Sequence, residues 1–126
     1  MATGKSIFVV DDDLSARKGI ARLVRTASYD VRDFASTNEF IDALGSEVPG
    51  CVVLDAGISG LPGEEMQAKL KVCGLHVPII VVTTHDDPET RRQAVKMNAT
   101  AFFRKPVDGT ALLDAIEWAM RSGSTY

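Results

Sequence analysis

Short, wholly apolar runs alternate along this chain with stretches whose apolar residues recur every three or four positions. Ile7-Phe8-Val9-Val10, Cys51-Val52-Val53-Leu54 and Val77 to Val82 are runs of strand length. Continuous apolarity of that length marks strands covered on both faces. Pro78 interrupts the third run only near its start. Tyr29 to Phe34 is more polar, as suits the edge of a sheet, and Ala101-Phe102-Phe103 is the last strand. Helical stripes lie between them: Ile20, Leu23, Val24 and Ala27; Thr37, Phe40, Ile41 and Leu44; Met66, Leu70 and Cys73 from about Pro62; Leu112, Ala115, Ile116 and Ala119. Ser36-Thr37-Asn38-Glu39 reads as a capping box. Asp87-Pro88 opens a helix with Pro in its first turn. That helix, Glu89 to Asn98, offers chiefly Val95 and Met97 as apolar anchors. Pro49-Gly50 marks a turn, and Arg121 to Tyr126 reads as a fraying tail or the start of a linker.

Five strand–helix repeats call for a parallel sheet with helices on both faces. Right-handed crossovers leave few ways to wind it. The expected fold is a doubly wound, flavodoxin-like five-stranded sheet with strand order 2-1-3-4-5. A dinucleotide-binding fold needs G-x-G-x-x-G after the first strand, where this chain has Asp11-Asp12-Asp13. No G-x-x-x-x-G-K-[ST] phosphate loop is present either. The 126 residues fit one domain, 1–126, with a core from about 5 to 121 and a tail over 122–126. The net charge of -3 and the lack of a dense basic patch argue against direct nucleic-acid contact. Cys51 and Cys73 are too few to staple such a domain and complete no metal quartet. The N-terminus lacks the pattern of a signal peptide, and no apolar run approaches the ~20 residues of a membrane span. A soluble, cytoplasmic protein is expected.

The polar residues that break the pattern share one edge. Asp11 and Asp12 follow the first strand, Asp55 the third, Thr83 ends the fourth and Lys105 follows the fifth. In a parallel sheet all carboxyl ends lie together, and ligands bind where the winding direction reverses. Singly, each residue has an ordinary reading: a helix cap for Asp13, a strand hydroxyl for Thr83, a solvated lysine for Lys105. Jointly they predict a cleft of three carboxylates with one cation and one hydroxyl. Mutually repelling carboxylates are reconciled by a divalent cation, and Mg²⁺ takes carboxylates together with water and phosphate oxygens. Asp12 and Asp55 are the expected direct ligands, Asp11 binds directly or through water, and the Gly57 backbone carbonyl is the expected further donor.

Phe8 to Asp13, Asp55 with Gly63 eight residues on, Val82-Thr83-Thr84 and Phe102-Phe103-Arg104-Lys105-Pro106 resemble the receiver domain of bacterial two-component response regulators. The likeness runs from about Lys5 to Arg121 and implies a CheY-like fold. It implies that Asp55 accepts a phosphoryl group from a sensor histidine kinase, with Mg²⁺ on Asp11 and Asp12. Thr83 and Lys105 would bond phosphoryl oxygens, and Phe102 would be the aromatic that turns inward as Thr83 moves. It also implies a cis bond between Lys105 and Pro106. Such a domain is not an enzyme in the usual sense, although it assists its own phosphorylation and dephosphorylation. The chain departs from the pattern after Asp55, where Gly57 and Ser59 loosen the loop. Thr84 stands where Ala or Gly is frequent. Gly57, Thr84 and His85 are the positions expected to tune phosphate lifetime.

Phosphorylation is expected to reshape the face made by the helix after Pro88, the last strand and the last helix, where Leu113 and Trp118 flank the buried stripe. The look is nearest to FixJ/NarL-type regulators, whose receivers precede a LuxR-type DNA-binding domain. Homodimerisation on phosphorylation and an effector outside the chain are the expected outputs. The alternatives are a single-domain regulator acting by protein contacts and an unphosphorylated pseudo-receiver. A Mg²⁺-dependent phosphatase normally has a second Asp two residues after its nucleophile, where Gly57 stands. Flavin binding conflicts with three aspartates at the phosphate position. His76 and His85 read as ordinary surface residues.

Overall fold

The computed structural model describes residues 6–44, 46–56, 68, 77–84 and 87–123. Five strands, β1 (Ser6–Val10), β2 (Asp30–Phe34), β3 (Cys51–Asp55), β4 (Ile79–Thr83) and β5 (Ala101–Arg104), form one sheet. Their order is β2-β1-β3-β4-β5, and every pairing is parallel. Among the described residues four helices pack on it: α1 (Leu14–Arg25), α2 (Thr37–Ala43), α3 (Pro88–Lys96) and α4 (Gly109–Gly123). This is the doubly wound, CheY-like architecture that the alternation of runs predicts.

Alternate side chains of the strands feed two separate cores. Phe8, Val10, Val52, Leu54, Ile79 and Val81 meet Phe34 of β2, Phe40 of α2, and Ala94 and Met97 of the α3 region. Ile7, Val9, Cys51, Val53, Ile80 and Val82 meet Val24 of α1 and Leu112, Ile116 and Ala119 of α4. Each fully buried Ile, Val or Phe contributes roughly 1.5–3 kcal/mol. Residues on both faces of β1, β3 and β4 therefore share the cost of ordering the sheet. Phe8, Phe34 and Phe40 form an aromatic cluster, the Phe8–Phe34 centroids lying 4.9 Å apart. Gly109 packs so close to Leu23 that an added Cβ would stand 3.2 Å from it, bringing α4 against α1. Burial pushes the Cys51 thiol up to about 12, so it stays neutral and serves as packing.

Caps set the helix starts. Asp13 accepts from the Ala16 N–H, Ser36 from Glu39 and Asp87 from Thr90, with Pro88 opening α3. The reciprocal half of the capping box slips by one residue, because Glu39 Oε1 accepts from the Ala35 N–H at 3.4 Å.

Several boundaries and anchors differ from the expectations. Ala27 is exposed and lies past the end of α1, in a turn closed by Ser28 at φ 70°, and Ala21 takes the buried place on the stripe. β4 begins at Ile79, because Pro78 has no N–H for the ladder and serves only as an acceptor, from the Val52 N–H at 3.0 Å. α3 ends at Lys96, with Asn98 in the left-handed region at φ 61°. Val95 is no anchor: it is 76% exposed, one residue out of phase with buried Ala94 and Met97. The last helix runs on to Gly123, into the stretch read as tail. Met66, Leu70 and Cys73 of the helix expected from about Pro62 lie outside the described residues; Ala68, the one described residue of that stretch, is helical and exposed.

Candidate functional site

The backbone ladder continues past the strand ends and gathers the polar residues at one edge. The Asp11 N–H donates to Phe34 O at 3.0 Å, the Ala56 N–H to Val82 O at 2.9 Å and the Lys105 N–H to Thr83 O at 2.7 Å. Asp11 thus stands just beyond β1, Asp55 at the last position of β3, Thr83 at the last of β4 and Lys105 just beyond β5. Asp11 is 1% exposed, Asp55 and Thr83 are buried, and Asp12 is exposed.

One carboxylate oxygen from each of Asp11, Asp12 and Asp55 lies within 4.8 Å of the others. Lys105 Nζ reaches into this cluster, 2.7 Å from Asp11 Oδ2 and 3.8 Å from Asp55 Oδ1. Three carboxylates against one ammonium leave an excess of negative charge. An all-oxygen donor set with one solvent-facing member fits a small hard cation that keeps part of its water. The bond between Lys105 and Pro106 is cis, as expected. Thr84, the residue after Thr83, is exposed. Gly57, Ser59, His76 and His85 lie outside the described residues.

Two contributors escape the sequence motifs. Arg17 Nη1 donates to the Asp11 backbone carbonyl at 2.9 Å, and its Nε donates to Asp33 Oδ2 at 2.9 Å. Lys18 Nζ also meets Asp33, at 3.0 Å. Burial alone would raise the Asp33 pKa, but its hydrogen bonds and charge contacts with Lys18 and Arg17 outweigh that and hold it below the usual carboxylate value. The available sequence signal was the basic pair Arg17-Lys18 one helical turn after the Asp13 cap, with no sign of which acidic residue it meets.

Phe102 is half-buried against the Phe8 core, and the Arg91 guanidinium stacks 4.9 Å from its ring centroid. That contact ties α3 to β5. Trp118 is exposed on α4, and Leu113 of the same helix is half-buried.

A doubly wound parallel sheet whose carboxyl edge carries an acidic triad, a threonine and a lysine defines the receiver class of signalling switch. The chain belongs to the response regulator receiver domain family, whose profile matches residues 7–117. It is 39% identical over 115 residues to the transcriptional regulatory protein TdiR of Thauera aromatica, covering 91% of this chain and 51% of that one. It is 35% identical over 121 residues to the transcriptional regulatory protein FixJ of Bradyrhizobium diazoefficiens, covering 96% and 59%. A response regulator receiver protein from Burkholderia phymatum superposes with a TM-score of 0.78 at 35% identity, covering 93% of this chain and 96% of that one. The chain spans about half the length of curated relatives such as TdiR. Among the described residues no helix is long and apolar enough to cross a membrane. The family is a signalling domain of two-component systems rather than a conventional enzyme.

Proposed function

We propose that Asp55 accepts a phosphoryl group from a sensor histidine kinase in a Mg²⁺-dependent transfer, and that this switches the α3–β5–α4 face. The observation that carries the reading is the Asp11–Asp12–Asp55 cluster with Lys105 Nζ 3.8 Å from the Asp55 carboxylate. An Asp55 oxygen attacks the phosphorus, the bond from phosphorus to the kinase imidazole nitrogen breaks, and its electron pair leaves with the imidazole. Asp11, Asp12, Asp55 and the Gly57 carbonyl would hold Mg²⁺, which would supply neutralisation of phosphoryl oxygens as charge develops on them. Lys105 neutralises a second oxygen, and Thr83 donates its hydroxyl to a third. Attack of water on the phosphorus later returns the Asp55 carboxylate and inorganic phosphate. Gly57, Thr84 and His85 are the positions that tune how long the phosphoryl group stays.

A phosphoryl group brings roughly two negative charges. Their pull on Thr83 and Lys105 draws Phe102 inward and shifts the lightly anchored α3. The names of TdiR and FixJ as transcriptional regulators, of which this chain covers only 51% and 59%, support an effector that acts on transcription. In this reading residues 1–126 form a single cytoplasmic receiver domain that dimerises on phosphorylation. The test is intact-protein mass spectrometry after incubation with acetyl phosphate and Mg²⁺. The expected result is one phosphate-sized adduct on the wild type, absent from Asp55→Asn and lost with EDTA. No adduct under any of these conditions leaves an interaction module that is never phosphorylated.

A further inference from the structure

The acidic cluster leans on a side chain outside every motif. We infer that Arg17, clamped by Asp33, is a positioning residue that fixes the Asp11 peptide and so sets how tightly the cluster holds a divalent cation. This inference rests on the Mg²⁺-dependent reading above.

Arg17 sits four residues after the Asp13 cap, and its N–H donates to Asp13 O at 2.9 Å. Long side chains on a helix lean back toward its N-terminus. The guanidinium accordingly returns over the β1–α1 turn and grips two groups at once: the Asp11 carbonyl through Nη1 and Asp33 Oδ2 through Nε, both at 2.9 Å. The two side chains are only 13% and 16% exposed, so water screens the pair weakly. Asp33 is itself placed by the sheet, opposite Val9 in the β1–β2 register.

Asp11 is thus held at four atoms. Its N–H donates to Phe34 O, its carbonyl accepts from Arg17, its Oδ1 accepts from the Asp13 N–H at 2.9 Å and its Oδ2 accepts from Lys105. Arg17 and Phe34 fix the backbone from the α1–β2 side and leave the carboxylate to the cluster. Partners that orient a metal ligand without touching the metal are worth about 10–100-fold in affinity. A lysine cannot replace the fork, because an ammonium is a point charge without two donors in fixed geometry.

Charge and position make opposite predictions. A cation beside the cluster repels Mg²⁺, so if charge alone mattered, removing Arg17 would tighten binding. If position dominates, removing it weakens binding.

The experiment is calorimetric Mg²⁺ titration of the unphosphorylated chain, wild type against Arg17→Gln, Arg17→Lys and Asp33→Asn, with thermal unfolding of each as a check on folding. Arg17→Gln and Arg17→Lys should each weaken Mg²⁺ by about tenfold, and Asp33→Asn by less. Phosphorylation by acetyl phosphate should regain its wild-type maximum rate in Arg17→Gln once Mg²⁺ is raised, because a misplaced ligand is overcome by mass action. Unchanged or tighter Mg²⁺ binding in Arg17→Gln overturns the inference, as does full rescue by Arg17→Lys. If Arg17→Gln does not fold cooperatively, Asp33→Asn decides: unchanged affinity there overturns the inference too. A wild type that takes no Mg²⁺ defeats the receiver reading itself, and this inference with it.

Discussion

The β2–α1 flank of the acidic cluster is tied down by ion pairs and half-buried side chains, whereas the β5–α3 flank touches the core lightly. On the first side Arg17 and Lys18 both meet Asp33, Asp13 caps α1, and Ile20 and Leu23 add half-buried contacts to those of Ala21 and Val24. On the other side α3 offers Ala94, with Met97 at its end, while Val95 points to solvent and every residue of β5 keeps some exposure. Arg91 over Phe102 is the polar tie between the two elements of that flank. The proposed phospho-switch needs both constructions: the acidic cluster held still, and the face that reports phosphorylation cheap to move.

The comparison can be broken most decisively by truncating one core side chain and one side chain of α3. Phe8→Ala, in the middle of the aromatic cluster, should cost about 3–5 kcal/mol of unfolding free energy by denaturant titration. Val95→Ala should stay within about 0.5 kcal/mol. A Val95→Ala cost near that of Phe8→Ala would mean that α3 is anchored as firmly as the core. Next in size is charge relief within the cluster. Asp12→Asn should stabilise the protein in EDTA by about 0.5–2 kcal/mol, because it removes one of three mutually repelling carboxylates, and should weaken Mg²⁺ binding. Calorimetric unfolding with and without Mg²⁺ checks both directions.

Cap removal sharpens the contrast. Asp13→Ala and Asp87→Ala each remove about 1 kcal/mol from a helix start. The loss at Asp13 should appear in the global unfolding midpoint. The loss at Asp87 should appear as faster hydrogen exchange in α3 with little change in the midpoint, because a helix anchored chiefly by Ala94 should open without the rest of the fold.

The smallest effect is on pH. Asp33 is held below its usual 3.8 despite burial, and Glu47 below its usual 4.5, chiefly by its hydrogen bond from Arg32. A carboxylate whose folded pKa is depressed adds stability that is present above the unfolded value and is lost as pH falls through the folded one. The unfolding midpoint should therefore decline below that range, and only gently for Glu47, whose pair with Arg32 is the more exposed of the two. Asp33→Asn should flatten part of the decline, while a midpoint that rises on acidification would contradict the sign.

Much of this was legible in the sequence. Strand runs with both faces apolar can sit only inside a sheet with helices on each side, so Ile7 to Val10 and Cys51 to Leu54 made the fold readable. The carboxyl-edge rule then places Asp11, Asp55, Thr83 and Lys105 along one edge from their positions in the chain alone. What was not legible depends on phase and on lateral contacts. Val95 and Met97 look equivalent in the sequence, yet a helix rotates about 100° per residue and only one of them faces the sheet. Arg17 and Asp33 lie on different elements, and nothing in the order of residues announces that β2 brings them side by side.

The measurement closest to the central claim is hydrogen exchange with and without acetyl phosphate and Mg²⁺, with Asp55→Asn as control. The account predicts that phosphorylation changes protection in α3, β5 and the segment leading into α4, leaves β2 and the body of α1 unaltered, and has no effect on Asp55→Asn. Changes of equal size on both flanks, or the same changes in Asp55→Asn, would contradict it.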